Sequence, residues 1–230
     1  MRDYNGKLFS ILGDSISTLE GYSEPQGAEY YRSGSGAGIY SKRDTWWGQV
    51  IDTLGAELLV NNSISGSTVC YMYGYEIESW GCSKARTCSL SRDDVSPDVI
   101  MVFLGTNDWG CGLRLKPSAE VTNPERNFTD AYRIMLGRLR QNYPEAEIWC
   151  FTLPLSDNTE GENGDFPYDY GGVHIEKYCD IIRKNARECG CKLIDLYEKC
   201  ERFESLEGFH PTALGMTCVS RAVLLCLSEN

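Results

Sequence analysis

The sequence predicts an α/β fold in which helices cover both faces of a parallel β-sheet. Two observations carry this reading. Short apolar runs of strand length alternate with longer stretches whose apolar residues recur at helical intervals. No repeat, low-complexity tract or Pro- or Ser-rich linker interrupts that alternation over 230 residues, a length that suits one domain, residues 1–230, with a sizeable core.

The candidate strands, in order, are Lys7–Leu12, Glu57–Asn61, Asp98–Leu104, Glu147–Leu153 and Lys192–Leu196. The third contains Val99–Phe103, apolar throughout, as expected of a central strand buried on both faces. Helical periodicity marks Trp46–Leu54, Thr129–Asn142 and Ile175–Glu188, and Thr212–Leu227 reads as a closing helix. Pro144 and Gly190 stand where stop signals belong. Four segments fit neither period: Gly21–Asp44, Tyr71–Ser96, Trp109–Asn127 and Ser156–Gly172. Loops of that length in a compact domain are functional or disordered. Each follows a strand or a motif at a strand's carboxyl end, where open α/β sheets place their ligands.

Lys and Arg total 22 against 33 Asp and Glu, a formal net charge of -11. Such a field repels phosphate backbones and anionic lipid, which argues against nucleic acid or a membrane surface as partner. No run approaches the roughly 20 apolar residues of a membrane span, and Met1–Lys7 leads into Leu8–Leu12 without the pattern of a secretory signal. The expectation is a soluble, cytoplasmic protein, or a secreted one if an export signal has been trimmed. The eleven cysteines show no C-x-x-C repeat that would signal zinc or a redox motif. Cys150, Cys179, Cys218 and Cys226 sit in apolar patterns and read as reduced, buried thiols. A local disulfide among Cys70, Cys82, Cys88 and Cys111 stays open.

Four short motifs carry chemistry. Ser15 stands in Gly13-Asp14-Ser15 directly after the first strand, where the chain leaves the sheet and turns toward a helix. Gly13 allows a tight bend there, and the turn exposes a hydroxyl; taken alone, the motif reads equally as a capped turn. His210, one of only two histidines, lies in Gly208-Phe209-His210-Pro211, ahead of the closing helix, with Pro211 suited to that helix's first turn. A serine nucleophile needs a base that titrates near neutrality, and imidazole suits the task. His174 opens the Ile175–Glu188 helix, where a surface or capping role fits it better. Asn107, in Gly105-Thr106-Asn107-Asp108, follows the buried third strand, and its amide can donate to an oxyanion or close an Asx turn. Gly66, in Ser65-Gly66-Ser67 after the second strand, leaves its backbone N–H open to a ligand, though a glycine there is also ordinary turn composition.

In this order, and with Asn61-Asn62-Ser63-Ile64-Ser65-Gly66 and His210-Pro211-Thr212-Ala213-Leu214-Gly215-Met216 extending the match, the sequence closely resembles the SGNH hydrolases, or GDSL esterases and lipases, over nearly its whole length. The resemblance implies a flavodoxin-like three-layer α/β/α sandwich with five parallel strands in the order 2-1-3-4-5. It implies Ser15 as nucleophile, His210 as general base and later acid, and an oxyanion hole made of the Asn107 amide and the backbone N–H groups of Ser15 and Gly66. The usual Asp three residues before the histidine is replaced by Glu207. Glu207 can still accept the imidazole N–H; a backbone carbonyl, or Glu204, are the alternatives. Asp14, Asp108 and Trp109, neighbours of these residues, are expected to line the substrate pocket. The implied reaction needs no cofactor and no metal.

The function expected is hydrolysis of a small acyl ester through a covalent acyl-enzyme. Aromatic residues crowd the long loops, among them Tyr22, Tyr30, Tyr40, Tyr73, Tyr75 and Trp80. Beside polar Asn, Asp and Ser they suit an acetylated sugar; equally, large rings anchor long loops, and Trp46 and Trp47 at a helix start fit that role. A long acyl chain would call for a contiguous apolar groove, which these mixed loops do not provide. A thioesterase or lysophospholipase-type acyl hydrolase, and a non-catalytic glycan-binding module on the same fold, are the rival readings. A flavodoxin-like nucleotide protein fits poorly, since no Gly-rich phosphate loop follows the first strand.

Overall fold

The computed structural model describes residues 2–72, 78–119, 121–157 and 172–229. Leu8–Gly13 (β1), Glu57–Ser63 (β2), Val99–Phe103 (β3), Glu147–Phe151 (β4) and Lys192–Ile194 (β5) form one sheet, parallel throughout, in the order β2-β1-β3-β4-β5. The helices are Trp46–Leu54 (α1), Lys84–Thr87 (α2), Thr106–Gly110 (α3), Phe128–Asn142 (α4), Ile175–Glu188 (α5), Leu196–Lys199 (α6) and Ala213–Ser228 (α7). A two-stranded antiparallel ribbon, Ser205–Leu206 (β6) with His210–Pro211 (β7), precedes α7.

Parallel neighbours need crossover connections, and right-handed crossovers put helices on one face while the chain steps one way and on the other face once it reverses. Here the reversal falls at β1, flanked by β2 on one side and β3 on the other. Accordingly α1 packs with α7, and α4 with α5, in separate layers. The crevice at such a reversal, past the strands' carboxyl ends, is where open α/β sheets bind ligands. Both Ser15 and Asn107 lie just past strands that border it.

All five residues of β3 are buried, as expected for a strand covered on both faces. Trp46, Phe103 and Phe151 pack through ring contacts of 5.2 to 5.5 Å, and Tyr4, Phe9 and Trp149 form a second aromatic cluster. Trp46 and Trp47 are fully buried, so they anchor their loop as expected of large rings. Side chains cap the long helices: Thr45 accepts from Gly48 N, Asn127 from Asp130 N, and His174 from Glu176 N. His174 thus has the capping role expected of it.

Several boundaries differ from those the sequence suggests. Asp98 lies just outside β3; its backbone still bonds to Leu8 O and Glu147 N, both at 2.8 Å, and its carboxylate also accepts from Leu8 N at 2.9 Å and Lys7 Nζ at 2.8 Å. Leu104 and Leu153 fall beyond their strands. Leu196 begins α6 rather than ending β5. Pro211 sits in β7 instead of the first turn of α7, whose cap is Thr212. The segment 71–96 contains α2, and the segment after β3 contains α3, so these are not plain loops. Tyr73, Tyr75 and most of Ser156–Gly172 lie outside the described residues. All eleven cysteines are free thiols; Cys150, Cys179 and Cys226 are buried, whereas Cys218 is only half-buried. Among the described residues no helix is long and apolar enough to cross a membrane.

Candidate active site

The nucleophile candidate sits on a turn held tightly from behind. β1 ends at Gly13, and Asp14 caps a single 3-10 turn, Ser15–Ser17, by accepting from Ile16 N at 3.0 Å. A Cβ at Gly13 would stand 2.6 Å from Ser63 Oγ and 2.8 Å from Ser17 Cβ, so only glycine lets the two strand ends approach this closely. The indole N–H groups of Trp46 and Trp47 donate to Ser17 Oγ (3.2 Å) and Ser17 O (3.0 Å). Asn61 Nδ2 donates to the same carbonyl at 2.9 Å. The turn's shape is therefore set by α1 and β2, and Ser15 projects from its front.

His210 comes from the far end of the sequence. The β6–β7 register pairs Leu206 with His210, leaving residues 207–209 as the loop. The ribbon puts His210 Nε2 2.8 Å from Ser15 Oγ, both side chains buried, across a sequence separation of 195. Burial pushes the imidazole down to about 4, against an opposing pull from the Glu207 carboxylate. The ring is thus neutral at neutral pH, the form that can accept a hydroxyl proton.

Glu207 stands in the left-handed region at φ 56°, with Oε2 3.4 Å from His210 Nδ1. The contact is an ion-pair distance without hydrogen-bond alignment, and the buried Nδ1 makes no hydrogen bond. The Glu207 side chain is 64% exposed, so water screens much of its influence. Glu204 is turned elsewhere, accepting from Thr212 Oγ1 at 2.6 Å. Among the described residues no backbone carbonyl accepts from Nδ1 either.

Two of the three oxyanion-hole candidates, Asn107 and Gly66, meet at one short segment. Asn107, in the first turn of α3, donates from Nδ2 to Ser67 O at 2.9 Å. Gly66 adopts φ 76°, and a Cβ built there would meet no atom within 4 Å. Among the described residues neither the Ser15 nor the Gly66 N–H has a hydrogen-bond partner.

Asp14 and Asp108 are turned inward, contrary to the sequence-based expectation that they line the substrate pocket. Both are fully buried and turned to the backbone, Asp108 accepting from Val69 N at 2.7 Å and Cys70 N at 3.0 Å. Burial raises their carboxyls to about 7 and about 6, and one oxygen of Asp14 has no partner at all. They act as internal ties because a short carboxylate behind a turn reaches amides more readily than solvent. Trp109 does face a cavity. With Ile16, Leu153, Ile175, Phe203 and Phe209 it borders an apolar recess of about 10 Å³, and its indole N–H donates to Val173 O at 3.2 Å.

One residue escapes sequence reasoning altogether. Arg86, in α2, is fully buried and donates to five acceptors: Gly13 O (2.9 Å), Asn62 O (2.7 Å), Asn62 Oδ1 (2.5 Å), Ser67 Oγ (2.6 Å) and Ser79 O. One guanidinium thereby joins the ends of β1 and β2 to the Gly66-Ser67 turn. Burial lowers it to about 9, still protonated at neutral pH, with Asp14 pulling the other way. A single Arg amid Ser, Lys and Thr gives no sequence signal of such a role. Among the described residues no group of three His, Cys, Asp or Glu side chains could hold a metal ion.

Solved structures share this arrangement of elements. A Bacteroides ovatus protein, by description a GDSL-like lipase, superposes with a TM-score of 0.72 at 26% identity, covering 98% of this chain and 100% of that one. A second, from Bacteroides uniformis and of the same description, gives 0.71 at 28% identity over 98% and 97%. A carbohydrate acetylesterase family member from Sinorhizobium meliloti shares the fold at 18% identity, with a TM-score of 0.65 over 97% and 98%. No curated protein matches. The family described as GDSL-like Lipase/Acylhydrolase matches residues 7–162, more than half of the sequence, and the chain belongs to that family, within the SGNH hydrolases.

Proposed function

We propose that the protein is a serine esterase that removes a small acyl group, with a carbohydrate O-acetyl ester as the substrate class. The observation that carries the reading is the buried 2.8 Å contact between Ser15 Oγ and His210 Nε2. His210 takes the hydroxyl proton as Ser15 attacks the ester carbonyl. The oxyanion that forms is met by the N–H groups of Ser15 and Gly66 and by Asn107 Nδ2. Protonated His210 then delivers its proton to the departing alcohol, leaving an acyl-serine. Water repeats the sequence and frees the carboxylic acid. Glu207 carries the carboxylate of the triad, drawing in to Nδ1 as the ring gains charge.

The small acyl group is supported by the recess. Its lining residues Ile16, Thr106 and Phe209 are the chain neighbours of Ser15, Asn107 and His210, and its volume of about 10 Å³ is on the order of one water-sized sphere. A space of that size suits a small acyl group better than a long chain. The sugar is supported by half-buried Tyr30 beside His210 and by the shared fold of the S. meliloti acetylesterase family member.

A fluorophosphonate probe together with a panel of acetylated sugars and p-nitrophenyl esters of rising chain length tests both parts. The expected result is labelling at Ser15, lost in Ser15→Ala, with turnover highest on acetyl esters. An unlabelled wild-type protein would make it a binding module, and a preference for long chains would remove the acetyl assignment.

A further inference from the structure

Imidazole orientation is a weakly determined quantity unless something holds the ring, because the torsion about the Cβ–Cγ bond of histidine is broad. In a triad a carboxylate normally does this. Here Nδ1 makes no aligned hydrogen bond, and the nearby Glu207 carboxylate is mostly in water. What lies against the ring is Tyr30, with centroids 3.6 Å apart and planes 10° from parallel. Phe209 sits at 4.4 Å and 49°, and Tyr31 meets the ring edge-on at 6.4 Å.

Tyr30 is itself fixed to both halves of the site. Its backbone N–H donates to Thr18 Oγ1 at 2.9 Å, and that hydroxyl donates to Ser15 O at 2.7 Å. The next residue, Tyr31, donates from its phenol to Pro211 O at 2.8 Å, beside His210. The Tyr30-Tyr31 pair therefore spans the gap between the nucleophile turn and the base ribbon. Turning the imidazole out of its present plane would drive its edge into the Tyr30 face, a van der Waals collision at this separation.

We propose that Tyr30 is a positioning residue for His210, its ring fixing the imidazole plane in which Nε2 meets the Ser15 hydroxyl. The consequence for turnover rests on the esterase reading above; the hold on the ring does not. Among the described residues, the charged or titratable groups facing His210 are Glu207 from its own loop and Tyr30 and Tyr31 from the opposing loop, with the Ser15 hydroxyl on the nucleophile turn. Glu207 also faces the Tyr30 phenol, which burial first and that carboxylate second push up.

The experiment compares Tyr30→Phe, Tyr30→Leu and Tyr30→Ala, each first confirmed folded by circular dichroism. The imidazole Hε1 resonance of His210 is followed by NMR against pH; with only two histidines in the chain the spectrum is simple. Steady-state kinetics on p-nitrophenyl acetate run in parallel. Tyr30→Ala opens the ring to water, so its midpoint should rise toward the ordinary value of about 6.5, and kcat should fall roughly 10- to 100-fold with little change in KM, as expected when a reacting group is misplaced by an ångström or so. Tyr30→Phe keeps the flat face and should retain the wild-type midpoint and kcat within about twofold, with Tyr30→Leu between the two. An unmoved His210 midpoint in Tyr30→Ala overturns the proposal, as does a Tyr30→Phe variant as impaired as Tyr30→Ala, or a loss confined to KM. A wild-type protein without esterase activity whose His210 midpoint still rises in Tyr30→Ala keeps the hold on the ring and removes only the esterase reading.

Discussion

Arg86 Nη2 donates to the carbonyl oxygen of Gly13 at 2.9 Å, tying a residue of α2 to the last residue of β1, 73 positions earlier. The bond places a buried cation directly behind the turn that carries Ser15, and the same guanidinium reaches Ser67 Oγ beside Gly66. The three candidate oxyanion donors thus share one internal brace, since Asn107 also bonds to Ser67.

Removing that brace should be costly in two ways. Arg86→Met strips the donor from the buried carbonyls of Gly13, Asn62 and Ser79, and each unmet acceptor costs about 1–3 kcal/mol. Urea unfolding is expected to show a loss of about 3–5 kcal/mol, and the folded fraction should turn over at least ~10-fold more slowly as the donors drift. A variant of wild-type stability and rate would show that the strand ends hold themselves.

Asn107→Ala removes one side-chain donor and leaves the nucleophile and base in place. The expected loss in kcat is about 10²–10³, with KM little changed. Equal losses in kcat for Asn107→Ala and in binding of a ground-state inhibitor would instead assign the amide to substrate binding.

Acidity should affect activity and stability in the same direction through His210. The neutral imidazole is required, and its midpoint is about 4, so kcat/KM is expected to hold through mild acid and fall as pH approaches that value. The unfolded chain takes up this proton earlier, near pH 6.5 or about that. Between those values the unfolded state binds more protons, so stability present above the upper value is lost as pH falls toward the lower one. His210→Gln should flatten that part of the stability profile.

Asp14 has the opposite sign. Its folded carboxyl keeps a proton up to about 7, raised mainly by burial, whereas the unfolded carboxyl gives it up near pH 3.9 or about that. Stability from this group is present at low pH and is lost as pH rises through the folded value. Asp14→Asn should therefore gain on the wild type as pH rises from about 4 to about 7 and keep that advantage above it, read as the difference in thermal midpoint across a pH series; a constant difference from pH 4 to 8 would contradict it.

The two glycines at the site should differ under the same substitution. Gly13→Ala forces a methyl against Ser63 Oγ and Ser17, an overpacking worth about 1–3 kcal/mol, and it shifts the nucleophile turn. Gly66→Ala meets no atom within 4 Å, so it carries only the strain of its left-handed backbone, about 1–2 kcal/mol. Thermal melts with parallel labelling rates should rank Gly13→Ala as the more damaging for the nucleophile.

The sheet was legible because its signal is local: Val99–Phe103 is apolar at every position and of strand length, as a strand covered on both faces requires. The meeting of Ser15 and His210 was accessible through the motifs around each. Arg86 was not, because a guanidinium's burial depends on acceptors from residues 13, 62, 67 and 79, which only the folded chain assembles. Asp14 and Asp108 were misplaced for the same reason, adjacency in sequence to a reactive residue saying nothing about which way a carboxylate turns. The β6–β7 ribbon went unseen since two-residue strands have no period to detect.

Ser15 enters the growing polypeptide 195 residues ahead of His210, and a domain generally folds as one unit. A chain that has not yet added residues 205–211 therefore carries the Ser15 hydroxyl without the imidazole beside it. The Ser15–His210 contact exists only once the β6–β7 ribbon is in place, so covalent labelling of Ser15 in a refolding reaction is expected to report closure of that long-range contact rather than formation of the sheet.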